Sequence, residues 1–391
     1  MVRGVRCLAM AMLLWVMILS TGMQAMAAPR RYQNNFVGVR PAAMGNAFTA
    51  VADDANALYY NPAGLARLET WHLDILSMIV GLNAASYDNF QKVSELFGEG
   101  QGATGSDDPA QVVEKLKPIL RDISGDNHYV RFGLNPSFVK RSFGIGIYSG
   151  VEAELVPHIN GLPTVLDVAV LIDNQFRLGG AHTFFGEKLS VGATLNLQAR
   201  ATATLEEFGI FEVVDASGDS GALRKEVEEV FASGWGIGTD VGILFTPVEL
   251  WKPTLGLAIK NVGDMGFQYL KVVKSSELKN APAPVRQSVN VGFSMMPQWG
   301  RRFLRPSIDF RDINLPLPAS KKLGYGLEAG WKGGYIKGSL MAGVSEGYVT
   351  AGLEADLFLF ALRYATYVSD LGTFPTEKPE RRHVVQMKVL L

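Results

Sequence analysis

The chain of 391 residues contains a single cysteine, Cys7. One thiol closes no disulfide within the chain and supports no iron–sulfur cluster or thiolate metal site. The five histidines, His72, His128, His158, His182 and His383, are scattered, with no H-E-x-x-H spacing to bring two onto one helix face for zinc. Charge excess of either sign is absent: 37 Lys and Arg face 38 Asp and Glu, a formal charge of -1, and no basic block follows the N-terminus. Nucleic-acid binding through phosphate neutralisation therefore has no footing. Long apolar runs are missing as well. Beyond the N-terminus no stretch reaches the roughly eighteen apolar residues of a helical membrane span, so membrane residence would have to be as a barrel.

Two short strings imitate active sites without their context. Gly218-Asp219-Ser220-Gly221 resembles a serine nucleophile segment but sits in a polar stretch beside a charged helical pattern, with no positioned histidine and aspartate. Gly100 to Gly105 fits G-x-G-x-x-G, yet no strand leads into it. The expectation is a protein that is not an enzyme, with no cofactor and no metal.

At the start, Arg3 and Arg6 precede the apolar run Cys7 to Leu19, and Ala25-Met26-Ala27 supplies a small-residue cleavage site. This predicts a secretory signal peptide over 1-27, whose removal would take Cys7 with it.

The dominant pattern is alternation of period two. In 189–204, Leu189, Val191, Leu195 and Leu197 occupy one face, and Ser190, Thr194, Asn196, Gln198 and Arg200 the other. That length exceeds an ordinary soluble strand and suits a tilted membrane strand. The same template predicts strands near 71–81, 128–140, 142–151, 164–179, 188–204, 234–246, 254–263, 285–296, 303–312, 322–331, 334–344, 347–355, 358–368 and 382–391. The set is even-numbered, as single-chain bacterial barrels require, and long and brief connections alternate along it, the link after the eleventh strand excepted. Long links on one side and short turns on the other place both barrel ends in the periplasm. Trp71, Tyr129, Trp235, Trp251, Trp299, Trp331, Tyr335, Tyr348 and Tyr367, near strand ends, suit interfacial girdles or core packing. Helical spacing over 106–123 and 223–231 predicts short amphipathic helices inside two long links, 82-127 and 205-233.

Between the signal and the first strand, Pro41 to Leu68 is alanine-rich and helical in character, and Asn61-Pro62-Ala63-Gly64 is expected to stop the helix. Gly45, Ala47, Ala50, Asp53, Asp54, Ala57, Asn61, Pro62, Ala63, Gly64 and Leu65 resemble the N-terminal hatch of FadL-type outer-membrane proteins, the long-chain fatty-acid transporter superfamily, and especially its PorV/PorQ-like branch. The resemblance covers about thirty residues directly. It implies an all-β fold: a membrane-spanning antiparallel barrel of about fourteen strands with a helical hatch plugging the lumen. The chain then divides into signal peptide (1-27), hatch (28-69) and outer-membrane barrel (70-391). The hatch positions Gly45, Asp53, Asp54, Asn61, Pro62, Ala63 and Gly64 would form the gate, with Asp53 and Asp54 binding a cation or hydrogen-bonding within the hatch. In the family a hydrophobic ligand is caught by external loops and leaves through a lateral gap near a kinked third strand, where Gly144, Gly146 and Gly150 could permit a bend. Leu391 departs from the aromatic residue usual at the end of such barrels.

Charges on the polar strand faces are the remaining leads. Arg177, Arg200, Lys260, Arg286 and Arg363, with Asp240 and Glu328, would face the lumen, where a cation could pair with a ligand carboxylate or tie hatch to wall. The expected partners are outer-membrane lipid and a hydrophobic small molecule such as a long-chain fatty acid. The alternative is a secretion-system protein anchored as PorV-like proteins anchor theirs.

Overall fold

Alternation decides which face of each strand meets which surroundings, and here the usual assignment is inverted. In the longest strand, Leu189–Gly209, Arg200 is 4% exposed and Asn196 wholly buried, while Leu195 on the opposite face is 42% exposed. The same holds in Leu323–Trp331, where Glu328 is buried and Tyr325 and Leu327 are exposed. Each large apolar side chain left in water forgoes roughly 1.5–3 kcal/mol. Dozens of them point outward among the described residues, so the medium outside is hydrocarbon.

The computed structural model describes residues 36–89, 127–158, 165–209, 230–270, 280–333, 336–357, 359–370 and 379–390. The signal-peptide reading, the helix expected over 106–123, nearly all of that over 223–231, the two active-site imitations, Tyr335 and Leu391 lie outside these residues.

Fourteen antiparallel strands close into one barrel. They are β1 (His72–Asn83), β2 in two pieces (His128–Leu134 and Ser137–Lys140), β3 (Phe143–His158), β4 (Val165–Phe184), β5 (Leu189–Gly209), β6 (Ala232–Phe245) and β7 (Thr254–Lys260). The circuit continues with β8 (Ser288–Ser294), β9 (Arg302–Phe310), β10 (Leu323–Trp331), β11 (Ile336–Ser345), β12 (Tyr348–Leu357), β13 (Phe360–Asp370) and β14 (Pro379–Leu390). Closure runs from Asp74 opposite Leu390 to Asn83 opposite Arg382. With the ladder closed, no strand edge is left without partners in lipid.

The strand positions agree with the alternation, but several lengths do not. β3 runs beyond its predicted end until only 159–164 joins it to β4, fewer residues than the 246–253 link on the opposite rim, and β4 runs beyond its own predicted end to Phe184. β8 begins later than the alternation suggested, leaving Val285 in a lone bridge to Met265. The exceptional link after β11 is a two-residue hairpin, with Glu346 and Gly347 both at positive φ. Tyr129 and Tyr367 turn inward and are buried, so they join no girdle; Trp71, Trp251, Trp299 and Trp331 are exposed at the short-link rim and Trp235 on the outer wall toward the other end.

The kink expected in the third strand is also elsewhere. β3 is continuous, with Gly144 and Gly146 facing Leu58 and Leu65. The wall is irregular instead at Asn135-Pro136, where a proline without an N–H splits β2, and at neighbouring Ile75, where β1 bulges against β14.

Inside the barrel, the apolar core is supplied mostly by residues 36–68: Val39, Ala43, Met44, Phe48, Ala52, Leu58 and Leu65 are all buried there. Their backbone lies against wall glycines. A Cβ on Gly242 would fall 1.9 Å from Asn61 Oδ1, and one on Gly192 would fall 2.5 Å from the Pro62 carbonyl carbon. Gly180, on the outer face, meets nothing nearer than 4.0 Å. Gly242→Ala should therefore lower the temperature at which the compact, fast-migrating band of unboiled protein is lost on a denaturing gel, at a cost of about 1–3 kcal/mol. Gly180→Ala should leave that temperature unchanged.

Candidate functional site: the plugged lumen

The segment inside the barrel is less helical than its composition suggests. It contains two short helices, α1 (Val39–Ala43) and α2 (Ala57–Tyr60), and a 3-10 turn over Pro62–Arg67, joined by turns. Asn61-Pro62 stops α2, as expected, and also opens the 3-10 turn. Asn61 is extended, its Oδ1 accepts the Ala63 N–H at 3.2 Å, and Pro62 takes the first helical position, where no N–H is needed. The Asn61 amide also donates to the Thr49 carbonyl at 2.8 Å and reaches the Ile243 and Leu257 carbonyls of β6 and β7. One wholly buried side chain thus joins two parts of the plug to the wall. Gly64 packs on the Ala52 carbonyl, and Gly45, at φ +60, fits between the Tyr325 and Val344 carbonyls.

Asp53 and Asp54 lie in a network centred on Arg40 of α1. The guanidinium donates to Asp53 at 2.7 Å, to Asp54 at 3.2 Å and to Glu328 of β10 at 2.8 and 3.1 Å. Arg305 of β9 meets Asp53 at 2.7 Å, and Arg363 of β13 lies 3.6 Å from Asp54 and 2.6 Å from Glu354. Asp54 also accepts from the backbone and side chain of Asn56. Both aspartates are thus held by guanidinium groups and amides. Burial alone would raise the pKa of Asp53, but Arg305 and Arg40 overcome it and hold the carboxyl far below its usual range. Burial likewise opposes ionisation of Asp54, and Arg40 and Arg363 win.

Further contacts ring the plug. Asp309 of β9 accepts the Phe48 and Thr49 N–H groups at 3.0 and 2.8 Å. Thr350 of β12 accepts the Gly45 N–H and donates to the Ala43 carbonyl. Arg131 of β2 donates to the Val37 carbonyl. At the short-link end Arg67 has, among the described residues, Ser190 and Thr254 hydroxyls as acceptors, and burial pushes its pKa down to about 10 against partial support from Glu249.

The cations proposed for a ligand carboxylate mostly have protein partners. Arg177 pairs with Asp240 at 2.6 Å, donates to the Leu58 carbonyl and lies over the Tyr59 ring. Arg200 lies 3.5 Å from Asp173 and over Phe267, and Lys260 sits over Tyr60. Arg363 belongs to the Arg40 network. Arg286 falls in the link before β8, not on a lumen face of the ladder, and is half-buried. Arg40, Arg305 and Asp309 were not singled out from the sequence. Inward alternation within β9 marks Arg305 and Asp309, whereas nothing local marks Arg40.

No protein-family model matches the chain, and no curated protein sequence does. Among solved structures, a ΔS2S3 mutant of the monoaromatic hydrocarbon channel TodX matches with a TM-score of 0.52 at 12% identity, over 90% of this chain and 98% of that one. The chain shares the fold of that channel. The Ralstonia pickettii toluene transporter TbuX also aligns, at 15% identity, 92% and 98% coverage and a TM-score of 0.49. A Pseudomonas aeruginosa FadL homologue aligns at 11% identity, 89% and 96% coverage and a TM-score of 0.36. In the present barrel the plug is bound to the wall through charge as well as packing.

Arg40→Met removes the shared cation and leaves buried carboxylates facing one another, a loss of about 3–5 kcal/mol for a broken buried pair. The expected outcome is a raised single-channel conductance in planar bilayers, with partial return toward the parent in Arg40→Met/Glu328→Gln. Because the folded pKa of Asp53 lies below the unfolded value of about 3.9, its contribution is complete above that pH and is lost as pH falls further. The part of any acid-induced rise in conductance that depends on Asp53 should accordingly come only below about pH 4.

Proposed function

We propose that the protein is an outer-membrane channel for hydrophobic small molecules, with the plug of residues 36–68 as its gate. The observation that carries this reading is a closed barrel with a lipid-facing exterior and a lumen filled by its own N-terminal segment, in the fold of a hydrocarbon channel. No chemistry is assigned to it. Long-chain fatty acids and monoaromatic hydrocarbons are the two ligand classes that follow, the first from the hatch residues and the second from the TodX fold. A fatty-acid carboxylate would have to displace Asp240 from Arg177 or Asp173 from Arg200, whereas an uncharged hydrocarbon displaces neither. The paired lumen therefore favours the uncharged ligand.

A second reading, an anchoring role for a secretion-system protein, draws support from the uneven height of the barrel. β4 has 20 residues and β7 has 7. At about 3.3 Å per residue and a tilt of 45°, β4 rises about 47 Å, well above an apolar band of about 25 Å. Its outer face remains apolar at Val168, Val170 and Ile172 and is a surface that a protein could cover.

Proteoliposomes carrying the protein should take up toluene faster than empty vesicles, and Arg40→Met should raise the rate further. A long-chain fatty acid should gain less, and a disaccharide nothing. Equal toluene rates with and without protein would overturn the transport reading.

A further inference from the structure

Where the plug leaves the lumen, Leu68 to Trp71 carry the chain to β1 at the short-link rim. An open cavity of about 630 Å³ lies there, lined by Glu69, Thr70, Trp71, Phe138, Lys140 and Arg141. Its walls are of two kinds. Trp71, 58% exposed, and Phe138 are apolar, and they continue along the outer wall into Ile75 and Leu76, both turned outward by the β1 bulge. Opposed to them are two cations and a carboxylate, all able to reach solvent. Lys140 is exposed with its ammonium 6.0 Å from the Phe143 ring centre, Arg141 pairs with the exposed Glu187, and Glu69 is 4.0 Å from Lys332.

The height of the cavity is set by its neighbours. Trp251, Trp299 and Trp331 are exposed around the same rim, at the level where amphipathic rings meet lipid headgroups. A molecule bound here has one end in hydrocarbon and the other in water. We propose that this cavity holds the headgroup of an amine-bearing phospholipid of the periplasmic leaflet. Lys140 and Arg141 take the phosphate, Glu69 accepts from the primary ammonium, and the acyl chains lie over Phe138, Ile75 and Leu76. The lipid would sit on the segment that joins plug to wall, and the assignment does not depend on what the channel transports.

The test is native mass spectrometry of the mature barrel released from detergent after incubation with an equimolar mixture of phosphatidylethanolamine, phosphatidylglycerol and phosphatidylcholine of matched chains. Retained phosphatidylethanolamine should exceed each of the others by roughly two- to fivefold, the range for exposed charge pairs. Lys140→Gln/Arg141→Gln should lower retention of all three lipids. Glu69→Gln should abolish only the advantage of phosphatidylethanolamine over phosphatidylglycerol. All these positions are exposed, so the gel shift of unboiled protein should be unaltered and serves as the folding control. Retention in the proportions of the mixture, or enrichment unchanged in both variants, would mean annular contact only and overturn the assignment.

Discussion

Hydrocarbon offers neither hydrogen-bond donors nor acceptors, and this property of the surroundings governs the molecule from its ladder to its lumen. Every backbone amide at membrane depth must find a partner within the protein, so the strands close on themselves from Asp74–Leu390 around to β13. The apolar face of each strand then has only one place to go. It points outward, and the polar face, with Arg200, Glu328, Asp173 and Arg363, is forced into the lumen.

A lumen lined with charge has to be satisfied from within, and this is what makes the N-terminal segment part of the structure. Burying three guanidinium groups and four carboxylates around Arg40 carries a desolvation cost of several kcal/mol per ion, offset only where each ion has close partners. The plug supplies Arg40, Asp53 and Asp54, and the wall supplies Glu328, Arg305, Glu354 and Arg363. Neither set is complete without the other. Packing acts in the same direction: wall glycines at 192 and 242 remove the side chains that would hold Pro62 and Asn61 away. Close backbone approach holds the plug on both sides, at Gly326 and Gly343 as well as along β5–β7, whereas the carboxylate–guanidinium network holds it only toward β9–β13.

That division bears on how such a plug could move. Displacing Arg40 strands buried carboxylates on both plug and wall, so the charged half should move only as a unit with its counter-ions or with water admitted to replace them. The half around Asn61 is held by neutral hydrogen bonds worth about 0.5–1.5 kcal/mol each and by single guanidinium donors, Arg177 to the Leu58 carbonyl and Arg67 to two hydroxyls, with no carboxylate of the plug at stake. It is also the half beside the wall irregularity, since the Tyr59 hydroxyl donates to Asn135 where β2 is split at Pro136. Local rearrangement is less costly there than around Arg40. The uneven height of the barrel adds a second asymmetry, with β3 to β5 rising on the same side.

Period-two alternation, a property of single strands, was enough to place every barrel strand and to say which face was polar, because the pleat imposes it whatever the neighbours do. The hatch residues Asn61 to Gly64 could be recognised as a group. The sequence did not reveal how far β3 and β4 extend, because polar and apolar residues go on alternating after the membrane ends. The wall irregularity is not legible either: glycines in β3 suggest a bend, whereas they make room for Leu58 and Leu65. The alanine-rich run looked helical but is mostly turns: its amides bond to nearby carbonyls within the segment, as Ala47 to Met44 and Val51 to Phe48, while those of Gly45, Phe48 and Thr49 also turn to Thr350 and Asp309 of the wall. Which wall charge meets which plug charge depends on residues almost 290 positions apart, such as Arg40 and Glu328. Local periodicity determines the face a side chain occupies, and only closure of the barrel around its plug determines what that side chain meets.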